Sequence, residues 1–187
     1  KLSWKTGDAD SVLKNLPNGT YTLTEDTAPS GFKSAASIEF KVEDGVVTVN
    51  GTAQDGAKVV MIDEPYATDV SISKKTVGGD ELEGALLTLT GENYNNETVT
   101  FTDENIILGT DAVLQATGES LTFSSGSTET VIKNLPDGTY KLVEDTAPLG
   151  YKKATEIEFT IKDGAVVAGD NTSGNTVIMT DELFSTD

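Results

Sequence analysis

The chain has no cysteine, no histidine and no arginine among its 187 residues, and only one tryptophan. Without cysteine there is no disulfide, no thiol nucleophile and no thiolate zinc site. Without histidine, a serine triad and a histidine-ligated metal are excluded. Positive charge is also scarce: 13 lysines face 31 acidic residues, for a formal net charge of −18. A surface of that sign cannot neutralise phosphates, which excludes nucleic acid as a partner. It reads instead as solubility and self-repulsion in an exposed protein. No apolar run is long enough to cross a bilayer, so no membrane insertion is expected, and no signal peptide is present. Both ends read as cut points within a longer protein.

What the chain does have is a repeat. The segment Lys133-Asn134-Leu135-Pro136-Asp137-Gly138-Thr139-Tyr140-Lys141-Leu142-Val143-Glu144-Asp145-Thr146-Ala147-Pro148 has an earlier copy at 14–29. Between 12–33 and 131–152, 16 of 22 paired positions are identical. The likeness continues through Ile38-Glu39-Phe40 and Ile157-Glu158-Phe159 to a Val-x-Met-x-Asp motif at 59–63 and 177–181. Backwards, Leu2-Ser3-Trp4 aligns with Leu121-Thr122-Phe123, so residues 66–119 of the second copy have no counterpart in the first. Two domains are expected, 1–65 and 66–187, with the first truncated at its N-terminus. The boundary is placed near Pro65, where proline stops a strand ladder.

Alternation of period two predicts strands at 70–74, 85–89, 98–101, 121–123, 139–144, 157–161 and 176–181. Threonine, valine, isoleucine and tyrosine dominate them, and Gly, Asn and Asp fill the gaps. Pro17-Asn18-Gly19 and Pro136-Asp137-Gly138 read as tight turns. Residues 104–115 hint at a short helix, and 91–119 reads as an insertion between early strands. Trp4 is expected in a core, whereas Tyr66 and Tyr94 are candidate exposed aromatics. Short strands with turn signals predict an all-β sandwich.

Three ionisable residues each end an apolar row. Residues two apart on a strand share a face, which groups Val70, Ile72 and Lys74; Tyr140, Leu142 and Glu144; and Val177, Met179 and Asp181. Taken singly, each could simply end its strand where the chain leaves the core and reaches water. Together they permit a reaction. Burial disfavours the charged forms of amines and carboxyls alike. A neutral Lys74 amine could attack the carboxyl carbon of Asp181 while Glu144 polarises the carbonyl and shuttles protons as water leaves. Amines and acids do not condense at useful rates in water, but held in contact they reach effective molarities of roughly 10⁵ M or more. Lys75 is the competing amine, and it faces away from Ile72.

These residues carry a family resemblance. Val70-Ser71-Ile72-Ser73-Lys74-Lys75, Leu82-Glu83-Gly84-Ala85, the stretch Leu142 through Glu144-Asp145-Thr146-Ala147-Pro148-Leu149-Gly150-Tyr151, and Val177-Ile178-Met179-Thr180-Asp181 resemble Cna protein B-type domains. These domains, also called SpaA-type or prealbumin-like, belong to Gram-positive pilins and surface adhesins. The last strand also resembles the peptide half of the SpyTag/SpyCatcher pair, which implies aspartate as the acceptor. The resemblance implies tandem Ig-like sandwiches and an isopeptide bond between Lys74 and Asp181, with Glu144 as the catalytic acid. In the first unit Glu25 and Asp63 match the same pattern with no equivalent lysine, since neither Lys1 nor Lys5 is correctly placed; Asp63 would be an unpaired acceptor. Phe32 replaces the motif tyrosine.

The family implies an extracellular stalk or pilin-like module in a cell wall-anchored parent protein, with neighbouring domains of that protein as partners. The alternative is an adhesin module that binds a host protein or glycan, for which 91–119 is the only support. No cofactor or metal is expected: the acidic stretches 103–111 and 163–175 lack EF-hand spacing and read as solvated loops. An enzyme acting on an external substrate is disfavoured, because the proposed chemistry turns over once.

Overall fold

The computed structural model describes residues 1–169 and 171–184. The chain divides into two compact units, Lys1–Ala28 with Ser34–Glu64, and Pro29–Lys33 with Pro65–Asp187. Their strands are β1 (Gly19–Leu23), β2 (Phe32–Lys33), β3 (Ile38–Glu43), β4 (Val46–Val49), β5 (Thr52–Ala53) and β6 (Glu64–Pro65), then β7 (Thr68–Thr76), β8 (Leu86–Asn93), β9 (Ile106–Ile107), β10 (Val113–Ala116), β11 (Leu121–Ser124), β12 (Thr130–Leu135), β13 (Gly138–Thr146), β14 (Ile157–Lys162), β15 (Ala165–Gly169), β16 (Thr172–Ser173) and β17 (Thr176–Asp181). Among the described residues no helix is long and apolar enough to cross a membrane.

The first unit is organised on one sheet of order β1-β3-β4-β5. Tyr21 stands opposite Phe40, their rings stack at 5.4 Å, and the Tyr21 hydroxyl donates to the Pro17 carbonyl at 2.7 Å. Val42 is its one buried large apolar residue among those described. Trp4 is 42 % exposed, contrary to the expected core position. Its counterpart Phe123 lies on β11, between β10 and β8, and is buried against the facing sheet, whereas no strand precedes Gly19 in the described first unit.

The second unit is the expected all-β sandwich. One sheet has order β10-β11-β8-β13-β14-β15 and the other β16-β17-β7-β12-β9. Their inner rows interleave face to face: Val70, Ile72, Ile132, Val177 and Met179 from one sheet meet Leu87, Leu89, Leu121, Phe123, Tyr140, Leu142 and Phe159 from the other. Among the described residues the ladders of this unit are antiparallel except β7 with β17, which run parallel. Parallel neighbours need a long crossover, and here the whole unit lies between them. Tyr140 stacks on Phe159 at 5.3 Å and donates to the Pro136 carbonyl at 2.6 Å, as Tyr21 does in the first copy. The Asp137 carboxylate accepts the Asp163 and Gly164 N–H groups, fastening the β14–β15 turn.

Two expectations fail in the stretch after β8. Residues 104–115 are not helical: a 3-10 turn at Asp103–Asn105 is followed by the edge strands β9 and β10. Gly109 packs so tightly that a Cβ would lie 2.0 Å from the Thr128 carbonyl oxygen, and Asp111 takes φ +65°. Both interrupt a helix, and the flanking isoleucines and valine favour edge pairing. Residues 98–101 form only the isolated bridges Glu92 to Thr98 and Phe101 to Gly118, yet Val99 and Phe101 are buried in the sandwich core.

Candidate functional site: a buried lysine between two carboxylates

The parallel register sets Lys74 opposite Met179 and Thr76 opposite Asp181. Lys74 and Asp181 therefore point to the same inner face of one sheet. Glu144 comes from the other sheet, on β13, opposite Leu87 of β8 and at a register shift before Thr146. Such shifts re-aim side chains and are frequent beside active sites. The Lys74 Nζ hydrogen-bonds to Asp181 Oδ1 and lies 3.3 Å from Glu144 Oε1. All three residues are at most 1 % exposed, so none of them ends its strand in water.

The arrangement is electrostatically costly. Two carboxyls and one amine lie in an apolar interior, where separated charges each cost several kcal/mol. Asp181 Oδ2 and Glu144 Oε1 are buried without a hydrogen-bond partner. Glu144 Oε2 accepts the Ala154 N–H at 2.6 Å. Burial drives the Glu144 pKa above its usual value and the Asp181 charge adds to this, while the Ala154 N–H and Lys74 oppose it. A carboxyl inclined to hold its proton, in contact with an amine and a second carboxyl, has the composition of a general acid–base group.

Lys75, the competing amine, is partly exposed and lies 3.7 Å from Glu81 Oε1. In the first unit Glu25 Oε2 accepts the Ala35 N–H at 2.8 Å, the repeat's equivalent of the Ala154 contact. Asp63 is half-buried in a segment without strand pairing, beside exposed Val60 and Ile62. Lys1 pairs with Asp26 at 3.8 Å and Lys58 with Asp10 at 2.9 Å. Neither Ala35 nor Ala154 was singled out from the sequence, though both occupy the same repeat position. Among the described residues no cluster of acidic groups gathers to hold a metal; Asp170 of the 163–175 stretch lies outside them.

The family model for the SpaA prealbumin-like fold domain matches residues 2–55 and 68–173. The chain belongs to this family. Among solved structures, the Bacillus anthracis TIE protein is 22 % identical with a TM-score of 0.54, over 90 % of this chain and 26 % of that one. The pilus-presented adhesin Spy0125 (Cpa) is 35 % identical over 55 % of this chain and 19 % of its own, with a TM-score of 0.39. The C-terminal fragment of the pilus adhesin SpaC from Lactobacillus rhamnosus GG is 17 % identical with a TM-score of 0.49, covering 91 % of this chain and 79 % of the fragment. The chain thus spans about a fifth of the Spy0125 adhesin. No curated protein matches it in sequence.

Proposed function

We propose that the second unit is a self-cross-linking, load-bearing module of a Gram-positive surface protein, a pilin or the stalk of an adhesin, displayed outside the cell. The observation that carries this reading is the fully buried contact of Lys74 with Asp181 beside Glu144. The family and its pilus-adhesin neighbours support the surface setting.

The reaction is a condensation. A proton first passes from the Lys74 ammonium to Asp181, leaving a neutral amine and a neutral carboxyl, and Nζ then attacks Cγ of Asp181. Protonated Glu144 gives its proton to the departing hydroxyl and takes one from the nitrogen, the C–O bond breaks and one water leaves. An amide joins the side chains and Glu144 ends as it began. Two buried charges are replaced by a neutral group, which favours the product in an apolar interior.

Because β7 opens the unit and β17 closes it, the amide would link the two strands at which tension enters and leaves. Load would then pass through a covalent bond and leave the hydrogen-bond ladder unstretched. Neighbouring domains of the same parent are the partners this role requires. Intact mass tests the chemistry: the chain should be one water lighter than its sequence mass, and an unchanged mass would sink the reading. Single-molecule pulling tests the mechanical role, since a cross-linked unit should not extend while a Lys74→Ala unit should.

A further inference from the structure

The repeated motif does not stop at its glutamate. An Ala-Pro-x-Gly segment, an aromatic residue and a lysine follow in both copies, and the condensation uses none of them. In the second copy this segment travels from Glu144 to the acceptor strand and back. A turn begins at Pro148, whose carbonyl accepts the Tyr151 N–H at 3.0 Å, with Gly150 at φ +91°, a conformation that strains any side-chain-bearing residue. The chain then pairs with the residues just after Asp181. The Phe184 N–H donates to the Gly150 carbonyl at 2.9 Å, Tyr151 bridges to Leu183, and the Lys152 N–H donates to the Glu182 carbonyl at 2.8 Å. Two residues later the Ala154 N–H reaches Glu144 Oε2.

We propose that residues 148–154 are a positioning strap that fixes the catalytic glutamate relative to the acceptor aspartate. At one end the Ala154 N–H holds one oxygen of Glu144, so that the other faces the Lys74 amine. At the other end the Lys152 N–H and the Tyr151 bridge hold the chain directly after Asp181. Both grips are made by backbone, so they tolerate side-chain changes such as Phe32 for Tyr151. This inference rests on the cross-linking reading above.

The first copy repeats the grip on the acid: within its own unit the Ala35 N–H donates to Glu25 Oε2 at 2.8 Å. Among the described residues no lysine strand accompanies that copy. The grip on the acid therefore forms without the nucleophile, and the acid is oriented before the amine arrives. Orientation settled during folding is not charged to the reaction barrier. Ala154 touches none of the reacting atoms and acts only through Glu144.

The test uses the full chain, kept unfolded in urea after synthesis and diluted into buffers from roughly pH 5 to 9, with intact mass followed in time. Ala154→Pro removes the N–H and Ala154→Gly keeps it. We expect Ala154→Pro to lose water on the order of tenfold more slowly. Its rate profile should also move to higher pH, because Glu144 loses a donor that stabilises its ionised form. Ala154→Gly should follow the parent in both. An Ala154→Pro chain with parental rate and profile would overturn the strap, whereas a parent that never loses water would overturn the cross-linking reading instead. Proline also constrains the backbone, so a second measurement avoids it. In the Lys74→Ala chain the Ala154 amide resonance should titrate with Glu144, and this titration should vanish in Lys74→Ala/Glu144→Gln. An Ala154 amide indifferent to pH and to that substitution would equally overturn the proposal.

Discussion

Lys74 stands opposite Met179, not Asp181, across the parallel ladder of β7 and β17. Asp181 lies two residues further on, on the same face, opposite Thr76. The offset suits the two side chains: lysine carries four methylenes and aspartate one, so the long arm leans along the strand to meet the short one. Glu144 approaches from the facing sheet. The site therefore exists only when both layers have closed, and the proposed condensation would report on complete folding of the unit.

The first expectation is a mass deficit of one water in the parent chain, abolished by Lys74→Ala and by Asp181→Ala. Glu144→Ala should also restore the full mass, since it leaves amine and acid in contact without a proton carrier. Loss of water in Glu144→Ala at the parental rate would remove Glu144 from the mechanism.

Stability should follow the bond. An amide between Lys74 and Asp181 closes a loop of 107 residues, which by the chain-entropy estimate used for disulfides is worth about 4–5 kcal/mol. Lys74→Ala forfeits this and also leaves two buried carboxyls without their cation. The thermal midpoint of the second unit should fall by roughly 15–20 °C or more. A smaller loss than about 5 °C in calorimetry would argue that the parent is not cross-linked.

Much of the fold was legible because the inner rows of β7, β13, β14 and β17 alternate with period two over at least five residues. The repeat also marks Glu25 and Glu144 as equivalent positions. The edge of the sandwich was not legible. Residues 104–115 carry a weak helical pattern that Gly109, forced against the Thr128 backbone, overrides through a contact remote in sequence. Trp4 departs from its expected core position because its repeat partner Phe123 is buried by a layer that the described first unit does not have. The Ala154 grip on Glu144 is a backbone contact, which side-chain pattern cannot reveal.

The pH dependence of the uncrosslinked protein should expose Glu144. Burial raises its pKa above the ordinary 4.5, so the folded state binds that proton more tightly than the unfolded one. Its contribution is complete below the unfolded value and is lost as pH rises through the folded one. Chemical denaturation of Lys74→Ala, compared with Lys74→Ala/Glu144→Gln, isolates this group from Asp181. The single variant should lose stability relative to the double as pH climbs above about 4.5. A difference that stays constant to neutrality would contradict the raised value.

The first unit should contribute no second water to the mass deficit, because the described residues place no lysine strand beside Asp63. Asp63→Ala should therefore leave the deficit unchanged, while Asp181→Ala removes it entirely. Yet Glu25 is already gripped by the Ala35 N–H, and Val59, Met61 and Asp63 sit on the half-buried side of their segment while Val60 and Ile62 face out. A synthetic peptide with the sequence of β7, supplied in excess, has the apolar row and lysine that this side lacks. We expect slow coupling, read as a gain of the peptide mass less one water, in the parent chain. Asp63→Ala, Glu25→Gln and a peptide with arginine in place of the lysine matching Lys74 should each abolish it. Absence of coupling after prolonged incubation would sink this expectation.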